Sequence, residues 1–178
     1  LFAPIEKKKS FDLQEYYQFP ERYRSVFEHY LPQLTVMVNC IYWEEKYPRL
    51  ITKKFLRHYL KTQNRKLLQI CDISCDINGS IECTEKTTEP DNPAFVYHPD
   101  TDSVSDGFAG DGMVVIAVDN LPAELARDSS TAFSAVWWSY IPVIAASDMS
   151  SDVIDERLPF DIRNAIILYK GQLTPSFH

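Results

Sequence analysis

The sequence predicts an α/β fold in which a parallel sheet is flanked by helices. Three near-continuous apolar runs, at 34–42, 67–74 and 113–118, have the composition of strands buried on both faces, and the first is rich in β-branched residues. Segments with apolar residues at three- and four-residue steps alternate with these runs and indicate amphipathic helices. Strands that alternate with helices are typical of a parallel, layered sheet.

The helices are predicted from periodicity and from residues that begin or end a helix. Thr52 can cap a helix at its N-terminus, Pro20 suits the first turn of a second N-terminal helix, and Pro142 kinks or divides the longest helix. Gly171 follows the last helix, and a further short strand is predicted at 94–97. The predicted helices are 11–33 in two parts, 53–61, 128–146 and 161–169.

Composition restricts the class of protein. The 178 residues suffice for one domain and a little more, and 45% of them are hydrophobic, which argues against disorder. The net charge is −7 and the basic run is confined to residues 7–9, so nucleic acid is not expected as a partner. No apolar stretch is long enough to cross a bilayer, and no membrane partner is expected. Because the chain begins with Leu1 and shows no leader pattern, we expect Leu1 to be internal to a longer polypeptide.

Four cysteines, at positions 40, 71, 75 and 83, are too few for the disulfide framework of a secreted protein. Their spacing lacks the Cys-x2-Cys pairs of a zinc site, and no histidine lies between 58 and 98. We therefore predict no metal site, and we expect buried thiols on strands in a reducing compartment.

The end of each apolar run carries polar residues. These segments are 39–42, 72–76 and 119–120. In open parallel sheets, ligands bind outside the carboxyl ends of the strands, so the three segments line one crevice if their strands are neighbours. A buried carboxylate is costly unless it is hydrogen bonded or paired, which favours a functional site. The alternative is that Asp72 and Asp119 cap loops, and the spacing does not decide between the two interpretations.

The glycine-rich segment 106–112 precedes a strand, whereas a phosphate-binding loop follows a strand and opens a helix. It is therefore interpreted as a hairpin-like loop. No histidine has a serine or cysteine partner at a spacing typical of nucleophilic catalysis, which disfavours a hydrolase.

Five separated motifs give the sequence a specific resemblance. They are NCIYW at 39–43, PRLIT at 48–52, CDISCD at 71–76, GSIE at 79–82 and VDNLP at 118–122. In this order they resemble the lysine–ketoglutarate reductase family, which makes saccharopine and is often fused to a saccharopine dehydrogenase in the bifunctional aminoadipic semialdehyde synthase. The resemblance extends from about Phe11 to Pro175. More distantly, 72–79 and 118–122 are similar to alanine dehydrogenase and to the nucleotide-binding half of transhydrogenase.

The resemblance implies a reaction, a cofactor and a fold. L-Lysine and 2-oxoglutarate condense to an imine, which is reduced to saccharopine, so NADP or NAD would be the cofactor. Residues 1–122 would form the second part of an NAD(P)-binding, partial Rossmann-like domain, and residues 123–178 the C-terminal helices that return to a missing N-terminal lobe. That lobe and the small molecules lysine, 2-oxoglutarate and saccharopine are the expected partners, and a second copy of the chain is a candidate partner.

Site roles follow from the resemblance residue by residue. Ser74, Cys75 and Asp76 would approach the amino-acid substrate, whose ammonium groups favour a nearby carboxylate. The protein's part in hydride transfer is to place the reactive carbon of the cofactor against the imine. The expected cofactor contacts are Ile41 and Tyr42 on the adenosine side, Ile73 packed on the cofactor, and Val118, Asp119, Asn120 and Leu121 at the nicotinamide ribose and carboxamide.

The sequence also departs from the family's pattern. The glycine fingerprint that holds the pyrophosphate, and the Lys and His that do acid–base work, lie upstream of Leu1 in the family. We therefore expect no catalytic residue in this chain and little or no activity from it alone. The alternatives are a non-catalytic dinucleotide-binding or regulatory module, and the lysine-forming saccharopine dehydrogenase of the same fold. The expected location is intracellular: mitochondrial in a eukaryote and cytoplasmic in a bacterium.

Overall fold

The computed structural model describes residues 1–6, 9–63 and 65–177, so part of the basic run at 7–9 lies outside the described residues. The chain divides into two compact units, Leu1–Glu124 and Leu125–His178. In chain order, the first unit contains β1 (Phe2–Pro4), α1 (Leu13–Gln18), β2 (Tyr23–Ser25), β3 (Val36–Asn39), α2 (Lys53–Tyr59), β4 (Gln69–Asp72), β5 (Ala94–His98), β6 (Ser103–Asp106), β7 (Met113–Ile116) and α3 (Leu121–Glu124). The second contains α4 (Ala126–Trp137), α5 (Ile141–Ala145), α6 (Phe160–Ala165), β8 (Leu168–Tyr169) and β9 (Gln172–Leu173).

The first unit is built on a five-stranded mixed sheet with the strand order β3-β4-β7-β5-β6. β3, β4 and β7 are parallel to one another, and the predicted α/β class is confirmed. β5 is antiparallel to both β7 and β6, so the sheet is mixed rather than parallel throughout, which corrects the prediction. The connection of residues 99–102 is a tight turn, which can join only antiparallel neighbours, so it accounts for the direction of β6 relative to β5.

β3 lies at the edge of the sheet and is buried on one face only. Met37 and Asn39 are buried, whereas Val36 and Val38 on the other face are 46% and 60% exposed. The expectation that this run is buried on both faces is therefore wrong, because the face that carries Val36 and Val38 is left open to solvent. The buried face of β3 contributes Met37 to the same hydrophobic cluster as Leu56 of α2.

α2 begins at the predicted cap and packs into this cluster. Thr52 Oγ1 accepts a hydrogen bond from the Phe55 N–H at 3.1 Å, which satisfies one of the free donors of the first turn. Leu56 and Tyr59 are buried in the same cluster as Ile70 of β4. The helix therefore holds β4, and the residues that follow it, against a packed core.

The N-terminal segment forms less helix than predicted. α1 has six residues, and Pro20 begins a single turn of 3-10 helix. Tyr23 then continues into β2, which pairs with β1, so the predicted second helix within 11–33 is wrong. Tyr23 packs edge-on against the Tyr16 ring, with the ring centroids 5.3 Å apart. This contact is made from an extended backbone, and tertiary packing of this kind overrides helical periodicity.

In the second unit, the long predicted helix is divided into two helices just before Pro142. α4 ends at Trp137, and α5 begins at Ile141 with Pro142 in its first turn. A proline is tolerated there because the first N–H groups of a helix have no partner within the helix. Within the described ranges, no helix is both long enough and apolar enough to cross a membrane.

The end of the second unit corrects another expectation. The predicted helix 161–169 is wrong in its second half, because α6 ends at Ala165 and β8 and β9 form a hairpin. Lys170 and Gly171 make the turn with positive φ values of 49° and 80°. Two successive residues with positive φ are typical of tight hairpins.

The cysteines only partly follow the expectation of buried thiols. Cys83 is buried, Cys71 and Cys75 are partly buried, and Cys40 is exposed. Cys40 follows the edge strand β3, which leaves its side chain uncovered.

Candidate functional site

The carboxyl ends of β3, β4 and β7 meet at one edge of the sheet, since these strands are parallel neighbours. Asn39 pairs with Asp72 in the register of β3 and β4, and Cys71 pairs with Ile116 of β7. The polar segments that follow the three strands therefore occupy adjacent positions, with residues 73–76 in the middle. The condition for a shared crevice, that the three strands are neighbours, is therefore met.

A buried hydrogen-bond network lies at the ends of β3 and β4, where it joins Asn39 and Asp72 to Ser80 and Thr84. Asn39 is 2% exposed and Asp72 is 1% exposed. Asn39 Nδ2 donates to Asp72 Oδ1 at 2.8 Å and to Ser80 Oγ at 2.9 Å, and Thr84 Oγ1 donates to Asp72 Oδ2 at 2.6 Å. Both oxygens of the carboxylate are thus hydrogen bonded, as a buried charge requires. Asp72 is closed off from solvent and does not line the crevice, which favours the interpretation that it holds a loop.

The loop after β4 is tied to the segment after β3. The Asn39 carbonyl accepts hydrogen bonds from the Ile73 and Ser74 N–H groups at 2.8 and 3.3 Å. Ser74 Oγ donates to the Ile41 carbonyl at 2.6 Å. Ile41 and Ser74, which the resemblance assigns to the cofactor and to the substrate, are therefore brought together by direct contact.

The backbone of the same loop is unusual at two residues. Cys75 and Asn78 have positive φ values of 53° and 51°, which residues other than glycine rarely adopt. Gly79 packs so closely that an added Cβ would lie 2.4 Å from Asp76 Cβ. The Arg49 guanidinium donates to the carbonyls of Asn78 and Gly79 at 2.8 and 3.1 Å. Several independent contacts thus fix the backbone that carries Asp76.

The accessible face of the loop is acidic. Burial and the neighbouring charge of Asp72 raise the pKa of the Asp76 carboxyl. Burial also raises the pKa of the Cys75 thiol to about 11, with further contributions from the charges of Asp72, Asp119 and Asp76. Asp119, which follows β7, is therefore close enough to act on the middle segment. A cation placed here would relieve the repulsion between the carboxylates.

The segment after β3 lines an aromatic cavity of about 340 Å³. Tyr42 is 79% exposed and donates its hydroxyl proton to Glu44 Oε1 at 2.5 Å. Tyr16 stacks on Phe2 and on Tyr47, with ring centroids 5.0 and 5.2 Å away. Sequence reasoning identified the strand-end residues and missed the other aromatic side chains, although the density of aromatic residues near the N-terminus was a usable signal. The remaining lining residues are Tyr17, Ile41 and Trp43.

The segment after β7 is anchored by Thr88. The Thr88 N–H donates to the Ala117 carbonyl at 2.8 Å, and the Thr88 hydroxyl accepts from the Ala117 N–H at 3.2 Å. Sequence reasoning did not identify this anchor, because Thr88 carries no local signal of its contact with residues far along the chain. The site residues expected at this end are Val118, which is buried, Asp119 and Asn120, which are exposed, and Leu121, which begins α3.

The strand order sets the span of the candidate site. Adjacent strands lie about 4.8 Å apart, so the segments after β3 and β7 are about 10 Å apart on either side of residues 73–76. Tyr42 and Asn120 thus belong to opposite sides of the site. Among the described residues, no three His, Cys, Asp or Glu side chains are grouped as metal ligands.

The residues present could hold one half of a dinucleotide. Ile73 is 38% exposed and offers an apolar surface, while Asp119 and Asn120 offer exposed hydrogen-bond acceptors. A nicotinamide ring and a ribose need such groups. No Gly-x-Gly-x-x-Gly occurs in the sequence, so the fit does not extend to the pyrophosphate.

Comparison with known proteins finds similarity over nearly the whole chain. Residues 7–176 match the family model described as alanine dehydrogenase/PNT, C-terminal domain. An Arabidopsis thaliana protein named alpha-aminoadipic semialdehyde synthase is 39% identical over 170 residues, which is 95% of this chain and 15% of that protein. The Mus musculus mitochondrial protein of the same name is 31% identical over 181 residues, which covers 94% of this chain and 20% of that protein.

Another relative matches a shorter stretch. The Emericella nidulans saccharopine dehydrogenase (NAD(+), L-lysine-forming) is 33% identical over 116 residues, which is 61% of this chain and 27% of that protein. The chain thus spans between 15% and 27% of the length of these three relatives. Because the family model covers nearly the whole sequence, the chain belongs to the alanine dehydrogenase/PNT C-terminal domain family.

Proposed function

We propose that the chain is part of the nucleotide-binding lobe of an NAD(P)-dependent oxidoreductase of lysine catabolism. In the proposed reaction, L-lysine and 2-oxoglutarate condense to an imine with loss of water. The imine takes up a hydride and a proton and becomes saccharopine. The cofactor supplies the hydride, and the residues of this chain bind and orient the reactants. The acid–base groups are expected in another part of the protein.

One observation carries this proposal: the strand ends that hold the motifs at 39–43, 71–76 and 118–122 adjoin at one edge of the sheet. Ligands of open α/β sheets bind at such an edge. The relatives named alpha-aminoadipic semialdehyde synthase match 95% and 94% of the chain, whereas the lysine-forming dehydrogenase matches 61%. The longer match favours the saccharopine-forming direction.

Asp76 is the proposed contact for an ammonium group of lysine. Its partly buried carboxyl lies beside the charge of Asp72, and a bound cation would relieve the repulsion between them. Ser74 and Cys75 would line the same subsite. Because their side chains donate to the carbonyls of Ile41 and Asp72, they shape the subsite rather than transfer protons.

The cofactor is proposed to lie across the three strand ends. Ile41 and Tyr42 would contact its adenosine side from the aromatic cavity, and Ile73 would pack on it from the middle segment. Either NAD or NADP is compatible with these contacts, because the residue that selects between them follows the glycine fingerprint. The residues proposed for the nicotinamide ribose and carboxamide are Val118, Asp119, Asn120 and Leu121.

The proposed partners are the remaining lobe of the same protein and the three small molecules of the reaction. The relatives are four to seven times as long as the part matched here, which supports a further lobe. The mouse relative is named as mitochondrial, and we propose that location for this chain if its source is a eukaryote.

The test is lysine-dependent oxidation of NADPH and of NADH by the intact protein that contains this chain, with saccharopine identified by mass spectrometry. The variant Asp76→Asn keeps the size of the side chain and removes its charge. We expect its KM for lysine to rise about tenfold or more, because an ion pair in a partly desolvated site is lost. The KM for the cofactor should change little.

Asp91→Asn is the matched control, since Asp91 is exposed in the loop before β5 and should leave both constants unchanged. Absence of saccharopine among the products of the wild-type protein would contradict the proposed function. An unchanged KM for lysine in Asp76→Asn would remove Asp76 from the substrate site.

The lysine-forming saccharopine dehydrogenase is a second candidate, favoured by the 33% identity over 116 residues to the Emericella nidulans relative. This enzyme would oxidise saccharopine with NAD+ and hydrolyse the imine to lysine and 2-oxoglutarate. Initial rates in both directions at one pH distinguish the candidates. Lysine release from saccharopine that exceeds saccharopine formation at cellular reactant concentrations would favour the second.

A further inference from the structure

The Asp72 carboxylate is a buried charge that the proposed reaction does not use directly. It is 1% exposed, so it touches no ligand. Its oxygens accept hydrogen bonds from Asn39 and Thr84. Both donors are neutral, so the negative charge is solvated but not cancelled. Buried charges of this kind are costly, which points to a purpose beyond packing.

Three parts of the chain converge on this carboxylate. Asn39 ends β3, Asp72 ends β4, and Thr84 follows the loop that carries residues 74–76. Asn39 also donates to Ser80 in that loop. Within the described part of the chain, Asn39 Oδ1 has no hydrogen-bond partner, so the donor contacts alone orient the amide. The carboxylate therefore joins the two ends of the loop to the end of β3.

The charge of Asp72 also acts on the accessible side of the loop. Burial is the largest cause of the raised pKa of Asp76, and the charge of Asp72 is the second. Among the charges that raise the pKa of Cys75, that of Asp72 contributes most. Asp119 adds to the negative potential from the segment after β7, and Arg49 donates to the backbone of the same turn. A cation bound at Asp76 would gain from all these carboxylates, since Coulomb attraction acts over several ångströms in a partly buried site.

We propose that Asp72 is a positioning residue whose buried carboxylate sets the loop that carries Asp76 and supplies a fixed negative charge that favours a cationic amino group there. The proposal rests on the proposed function only in naming lysine as the source of that amino group.

The two roles can be separated by substitution. In Asp72→Asn, Oδ1 can still accept from Asn39 while the new NH2 group donates to Thr84 Oγ1, so the network is kept and the charge is removed. Thr84→Val has the opposite effect, because it removes one hydrogen bond and keeps the charge.

The first experiment compares both variants with the wild type in the intact protein. Asp72→Asn should raise the KM for lysine about five- to tenfold and leave the KM for NAD(P)H within about twofold. Its Tm should be equal to or above that of the wild type. Thr84→Val should lower the Tm and raise the KM for lysine by less than Asp72→Asn does, because it loosens the loop that carries Asp76 but keeps the charge. An unchanged KM for lysine in Asp72→Asn would overturn the electrostatic role, and an unchanged Tm in Thr84→Val would overturn the structural one.

The second experiment does not need turnover. Alkylation of Cys75 by iodoacetamide, resolved by peptide mass spectrometry, follows the fraction of thiolate. Loss of the Asp72 charge lowers the pKa of Cys75, so the rate of Cys75 alkylation should rise about threefold or more in Asp72→Asn. In Thr84→Val, which keeps the charge, the rate of Cys75 alkylation should stay within about twofold of the wild type. Equal Cys75 rates in Asp72→Asn and wild type would overturn the proposal. If the Cys75 rate rises as expected but the wild type makes no saccharopine, only the proposed function fails.

Discussion

Asn39 donates a hydrogen bond to Asp72 at 2.8 Å, although the two residues are 33 positions apart in the chain and both are almost fully buried. They are the last residues of the parallel neighbours β3 and β4. Ser80 and Thr84 complete the network and connect it to the loop that carries the proposed substrate residues. The geometry of the candidate site therefore depends on this contact.

Replacing Asn39 by Ala should destabilise the protein by about 2–4 kcal/mol, because two hydrogen bonds are lost and one oxygen of a buried carboxylate is left unpaired. Ser80→Ala is the matched control, since it removes only one acceptor of the same network and should cost about 1 kcal/mol. The free energy of unfolding is measured by urea denaturation. Equal losses in the two variants would show that the bond from Asn39 to Asp72 contributes little.

Gly79→Ala should displace the loop that carries Asp76. An added Cβ would lie 2.4 Å from Asp76 Cβ and 2.8 Å from the Asp76 carbonyl oxygen, and overpacking of this kind costs about 1–3 kcal/mol. The KM for lysine should rise as well, because Asp76 moves. Gly107→Ala is the control: Gly107 has a positive φ of 93° but open space around it, so it should lose stability without a change in KM. Equal effects on KM would argue against steric control of Asp76.

The ion pairs around Glu15 predict that the stability of the protein depends on pH. Hydrogen bonds from Lys9, Arg22 and Tyr23 lower the pKa of Glu15 to about 2. A carboxyl group with a lowered pKa contributes stability above its unfolded pKa of about 4.3 and loses it as the pH falls through the folded value. The Tm of the wild type should exceed that of Glu15→Gln at neutral pH, and the difference should shrink as the pH falls to about 2.

The contribution of Glu15 is expected to be small, because its partners are exposed and solvent screens the charges. Glu21→Gln, at an exposed position, serves as the control and should show no such trend. A Tm difference between wild type and Glu15→Gln that stays constant over the whole pH range would contradict the assignment.

The thiols should react with iodoacetamide in the order Cys40, Cys75, Cys83. Cys40 is exposed, whereas Cys75 is partly buried and has a pKa raised to about 11. Burial raises the pKa of Cys83 further and keeps the reagent from reaching its thiol. Only thiolate is alkylated, so Cys83 should be labelled only after unfolding. Peptide mass spectrometry at slightly alkaline pH measures each rate, and labelling of Cys75 as fast as Cys40 would show that the loop opens readily.

Tyr42→Ala should separate cofactor binding from stability. Tyr42 is 79% exposed, so its removal should change the free energy of unfolding by less than about 0.5 kcal/mol. If Tyr42 contacts the adenosine side as proposed, the KM for NAD(P)H should rise severalfold while the KM for lysine stays constant. Tyr30→Ala is the control, since Tyr30 is 51% exposed and does not line the aromatic cavity. No difference between the two variants would remove Tyr42 from the cofactor site.

Local features followed from the sequence because their signals lie within a few residues. Thr52 caps α2, and Pro142 stands in the first turn of α5, as expected. Caps and helix breaks depend on the backbone chemistry of adjacent residues, so they can be predicted without knowledge of the rest of the chain. Strand direction is different: the antiparallel pairing of β5 with β7 joins residues about twenty positions apart, and no local pattern in 94–97 specifies it.

The sequence by itself determined which polar residues stand at the carboxyl ends of the strands of the candidate site, since apolar runs and their breaks are properties of neighbouring residues. The strands themselves end two or three residues before the predicted runs do. Only the tertiary structure decided that Asp72 is enclosed and that Asp76 remains partly accessible. The two are aspartates four positions apart in one motif. What distinguishes them is that Asn39 and Thr84, 33 and 12 positions away, close around the first and not around the second.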